Sequence, residues 1–128
     1  KKALLLVVFT LLLIVIVEAK PLVVYGKEVN ITRAKNVINQ IPTKCFNGID
    51  ILYFYDKTAK YLGYFQYNVG RRHNKEIIIY QFKEQTDSEV ILTIYHELGH
   101  YIEYKRGFRV SSTTKFNETF AEKYICKN

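Results

Sequence analysis

Two of the chain's three histidines, His96 and His100, bracket Glu97 in the run "TIYHELGHYIEY" at residues 93–104. Histidines four apart on a helix stand one turn apart on the same face, so both imidazoles can reach one zinc ion at about 2.1 Å. A carboxylate between them is placed to hold and deprotonate a water whose pKa the metal lowers towards about 7, and then to protonate a leaving amine. The pentapeptide alone is also compatible with a helix that carries these residues as surface charge. What favours a metal site is the helix around it.

Zinc needs a third protein ligand and keeps its fourth position for water or substrate. The remaining histidine, His73, falls in a predicted turn among Arg71, Arg72 and Asn74, and we read it as a turn residue. Carboxylates are left. Glu103 is three residues beyond His100 and can reach it, but would strain to complete a tetrahedron with both histidines, so its loss is expected to be nearly harmless. Glu118 and Glu122 in "NETFAE" lie one turn apart on a following helix, so an antiparallel return brings one to the metal and the other behind it. Spacing leaves the choice between them open, and two solvated acids are the competing reading.

The elements that must position these residues can be read from periodicity. "KEVNITRAKNVINQIP" has Val29, Ala34, Val37, Ile38 and Ile41 at mostly helical spacing, with Pro42 marking the end. "GIDILYFY" (48–55), "YLGYFQYN" (61–68) and "EIIIYQF" (76–82) read as three strands, the first two as a hairpin and the third reached through the "VGRRHNKE" turn. Thr86 and Glu89 form a capping box, so a helix should start at Asp87 and run to about Arg106, with Gly107 as its stop. Val90, Ile91, Ile94, Leu98 and Ile102 make its core face. Thr93, His96, Glu97, His100 and Glu103 lie towards the other side. A last helix carries "FNETFAEKYIC". The expected fold is α+β: an N-terminal helix, a three-stranded mainly antiparallel sheet, the active-site helix and a C-terminal helix, preceded by a hydrophobic leader helix.

The 128 residues, 48% hydrophobic and 15% aromatic, suffice for one packed domain. A formal charge of +7 is scattered over turns and helix faces, which favours anionic partners such as a membrane surface and argues against a nucleic-acid groove. Lys1 and Lys2 precede an apolar run from Ala3 to Val17, and Val17-x-Ala19 has the form of a signal-peptidase site. We therefore expect residues 1–19 to be a secretory signal, with an uncleaved membrane anchor as the competing reading, and residues 20–128 to form the domain outside the cytoplasm. In an exported chain the two cysteines, Cys45 and Cys126, are expected to pair. Oligomeric state is not legible.

"HELGH" with the downstream "NETFAE" resembles the gluzincin branch of the zincin metallopeptidases, and "ETFAE" after "HELGH" is most similar to the catalytic domain of the anthrax lethal-factor group. The resemblance, over roughly residues 60–126, implies that His96, His100 and Glu118 hold one Zn2+, that Glu97 is the catalytic acid/base, and that Glu122 is an outer-shell partner of a ligating histidine. It also implies a peptide or protein substrate lying extended along an edge strand, for which "EIIIYQF" is the expected choice. That group has a tyrosine shortly before its glutamate ligand to stabilise the oxyanion, and the stretch between Lys105 and Asn117 contains none. Tyr101, Tyr104 and Tyr124 are the candidates to replace it, with packing as the competing role of each. The expected function is a zinc-dependent metalloendopeptidase hydrolysing peptide bonds through a metal-activated water. The alternative is a non-catalytic, basic, tyrosine-rich binding module with a structural zinc or none, in which Tyr53 and Tyr55, with Tyr64 and Tyr67 on the next strand, form the stacking surface, against strand packing as their more usual role.

Overall fold

The computed structural model describes residues 20–107. Four strands and two helices follow in the order β1 (Leu22–Tyr25), α1 (Ile31–Asn39), β2 (Ile51–Phe54), β3 (Gly63–Val69), β4 (Asn74–Ile79) and α2 (Asp87–Lys105), with short 3-10 turns at Thr43–Phe46 and Phe82–Glu84. The fold is α+β. The expected C-terminal helix and the leader at residues 1–19 lie outside the described residues. Among those residues, no helix is long and apolar enough to cross a membrane.

The sheet differs from the expected three-stranded antiparallel one. It is mixed, in the order β1-β2-β4-β3, with β1, β2 and β4 parallel and only β3 antiparallel to its neighbour. The unexpected strand is β1, whose "LVVY" is too short to show a period. No β2–β3 hairpin forms, because β2 pairs on one side with β1 and on the other with β4. "EIIIYQF" therefore contributes an interior strand whose backbone groups are already engaged on both sides. Among the described residues, the edges are β1 and β3.

Both helices pack on one face of this sheet. Ala34 and Val37 from α1, Leu52 and Phe54 from β2, Phe65 from β3, Ile77 and Ile79 from β4, and Val90, Ile94, Leu98 and Tyr101 from α2 form one buried cluster. Tyr101 closes the core face of α2 in place of the expected Ile102, which is only half-buried. Each helix starts on a side-chain cap: Asn30 Oδ1 accepts from Arg33 N at 3.0 Å, and Thr86 and Glu89 make the reciprocal capping box at 3.2 Å each way. At the far end of α2, Gly107 adopts φ +76°, and its N–H donates to Tyr104 O at 3.0 Å. An L-residue with a Cβ resists that left-handed conformation, so the helix ends there.

Arg33 fixes the start of α2 against α1. Its Nε donates to Asp87 Oδ1 at 2.7 Å, its Nη1 to Phe82 O at 2.7 Å, and its guanidinium lies 4.1 Å from the centre of the Phe82 ring. One cation thus sets where α2 begins relative to the core.

The opposite sheet face carries Tyr53, Tyr55 and Tyr64, with Tyr53 and Tyr55 stacked at 5.8 Å between ring centres. Glu76 is buried there, accepting from Gln66 Nε2 at 2.6 Å and Tyr53 Oη at 3.2 Å. Tyr67 belongs to the helix side and stacks on Tyr104 at 4.4 Å. The four tyrosines proposed as one stacking surface are therefore split between the two faces.

Candidate metal centre

The middle of α2 presents two imidazoles towards a common point. His96 Nε2 and His100 Nε2 are 3.2 Å apart, their rings nearly perpendicular at 87° with centres 4.7 Å apart. Two ring nitrogens cannot approach so closely with both lone pairs facing and nothing between them. They share either a proton or a cation. Nitrogens held about 2.1 Å from one tetrahedral ion sit roughly 3.4 Å apart, close to the separation of this pair.

Glu97 completes the cluster. Its Oε1 is 3.9 Å from His96 Nε2, and the residue is only 4% exposed although it carries a carboxyl. Burial raises its pKa to about 8, with the backbone N–H of Phe65 pulling the other way. A cation on the neighbouring imidazoles would act in the same direction as that N–H. The His100 pKa is lowered, first by burial and then by the proximity of His96, with Glu103 opposing both. The neutral imidazole so favoured is the form that binds metal.

Among the described residues, no group of three or more His, Cys, Asp or Glu side chains gathers in a metal-binding arrangement. Glu118 and Glu122, the expected ligand and outer-shell acid, lie outside those residues. His73 sits in an exposed turn with φ +53°, as a turn residue would. Cys45 is buried and disulfide-bonded, and its expected partner Cys126 is outside the described residues. Of the candidate electrophiles, Tyr101 is a core residue packed on Phe65, with its hydroxyl against the backbone of Gly48. Tyr104 donates to Asn68 Oδ1 at 3.3 Å while stacked on Tyr67. Both serve packing, and Tyr124 is not described.

Sequence reading missed Gly63. It opens β3 directly against α2, where a Cβ would stand 2.6 Å from Thr93 Cγ2 and 3.0 Å from Glu97 Oε1. The Thr93 methyl has little room to turn away, because its hydroxyl donates within reach of Gln85 Oε1 and Glu89 O, both at 2.9 Å. A glycine inside a strand otherwise rich in tyrosine and phenylalanine was the available signal, since it marks a close approach of backbone. Gly63→Ala is expected to force β3 off α2 and to cost about 1–3 kcal/mol, as overpacking does. Urea unfolding of the metal-free protein measures this, and an unchanged midpoint would mean that the contact is not tight.

No protein-family model, curated protein or solved structure matches this chain.

Proposed function

We propose that the chain is a zinc-dependent metalloendopeptidase of gluzincin type, with a small zincin-like domain built around α2. The observation that carries this reading is the convergence of His96 and His100 at 3.2 Å, with the buried carboxyl of Glu97 beside them. His96 and His100 would hold the ion together with Glu118. Bound zinc supplies Lewis acidity, which brings the pKa of water down to about 7 and polarises a carbonyl.

The chain's own residues do the rest. Glu97 takes the proton from the attacking water in its ionised form and returns it to the leaving amine in its protonated form. Gly63 lets the first residue of β3 lie against Glu97, so the edge strand flanks the reacting groups. Because β4 is interior, the strand suited to pair with an extended peptide is β3, which among the described residues pairs only with β4. Such pairing selects extended backbone and leaves side-chain preference open.

The test is zinc content of the purified protein together with cleavage of a mixed peptide library. Stoichiometric zinc with cleavage supports the peptidase. Tight zinc with no cleavage in a broad library favours the non-catalytic binding module.

The proposed location is outside the cytoplasm, released or anchored by residues 1–19, with a membrane surface as a partner suited to the +7 charge. Expressed with that segment, the chain is expected to lose about 19 residues on export. Intact mass decides: an uncut chain in the membrane fraction supports the anchor, and a cytosolic chain with free thiols would sink the export reading.

A further inference from the structure

His100 has different neighbours at its two ring nitrogens. Nε2 faces His96, whereas Nδ1 lies 3.6 Å from Oε2 of Glu103, three residues further along α2. The side chains are only 8% and 5% exposed. Carboxylates are rarely withdrawn from water to that extent unless a charge or a donor compensates them. At 3.6 Å the contact is within ion-pair range and a few tenths of an ångström beyond hydrogen-bond length, so a small rotation of the ring makes the bond.

We propose that Glu103 is a positioning residue that accepts the Nδ1–H of His100, fixes its tautomer and keeps the Nε2 lone pair on the side facing His96. This rests on the metal-centre reading above. It also revises the expectation from spacing, under which loss of Glu103 was nearly harmless. Helical spacing sets Glu103 apart from the expected ligand position, but does not show its burial against Nδ1 of His100. An imidazole whose Nδ1–H is committed to a carboxylate must present its lone pair at Nε2, with a more basic nitrogen and a fixed ring plane. The outer-shell acid implied by resemblance, Glu122, is a separate residue.

Two readouts test the proposal, and the first needs no metal. Long-range 15N NMR of the zinc-free protein is expected to show neutral His100 as the Nδ1–H tautomer in wild type and in Glu103→Gln, whose amide oxygen can still accept. In Glu103→Ala it should become a tautomer mixture. Competitive chelator titration with Zn2+ should then show about 10- to 100-fold weaker binding for Glu103→Ala, recovered to within a few-fold in Glu103→Gln. A purely structural role would lower unfolding stability in the alanine variant while leaving the tautomer unmoved. A wild-type His100 in the Nε2–H form overturns the proposal even if no variant folds. So do an unchanged tautomer and an unchanged zinc affinity in Glu103→Ala. A wild type that binds no Zn2+ defeats the metal-centre reading instead, and the tautomer measurement still judges the His100–Glu103 contact.

Discussion

Glu97→Gln is expected to retain zinc while losing peptidase activity by a factor of roughly 10² to 10⁴, the usual cost of removing a general base, with further loss from misplaced water. Glutamine is chosen because it preserves shape at a crowded position. Glu97 is 4% exposed, and its Cγ and Oε1 stand 3.1 Å and 3.0 Å from where a Cβ on Gly63 would be. A larger change would disturb β3 as well as the chemistry. An amide fills the same space, can still meet the N–H of Phe65 through its oxygen, and cannot take a proton at neutral pH. Single-turnover cleavage of a peptide found in the library, measured beside bound zinc, reads both halves of this expectation. A variant that cleaves as fast as wild type would remove Glu97 from the mechanism. Loss of zinc along with activity would place the carboxylate in the ligand set.

The second large effect concerns the ligands. His96→Ala and His100→Ala are each expected to weaken zinc binding by more than the roughly 10- to 100-fold typical of an outer-shell loss. Each removes one of the two imidazole nitrogens that would hold the ion, which stand 3.2 Å apart. Glu118→Ala should fall in the same class, since a lost ligand carboxylate takes away both a bond and a neutralising charge. Glu122→Ala should show only the smaller, outer-shell loss. Chelator competition across the four variants gives the order. If Glu122→Ala is the one that empties the site, the carboxylate ligand moves one helical turn along "NETFAE", because spacing alone treats the two acids as equivalent.

Local chemistry was legible in the sequence where it depends on residues within a turn or two of one another. The four-residue step between His96 and His100 set their common face, and Thr86 with Glu89 set the start of the helix that carries them. Gly107 set its end. Three strands were legible for the same reason, as runs of branched and aromatic residues between turns.

Partners along a sheet are a different matter, because a strand's own residues specify which side chains face the core and not which strand lies beside it. Only the tertiary structure placed β1 beside β2, moved β4 to the interior and, among the described residues, left the antiparallel β3 as the edge next to α2. Only it brought the missing side chain of Gly63 against Glu97, and withdrew Glu103 from water against the Nδ1 of His100. The motif determined by its own periodicity that two imidazoles and a carboxyl could converge. What surrounds that carboxyl, and hence how far burial lifts its pKa, depends on contacts between residues more than thirty positions apart, and no local pattern encodes them.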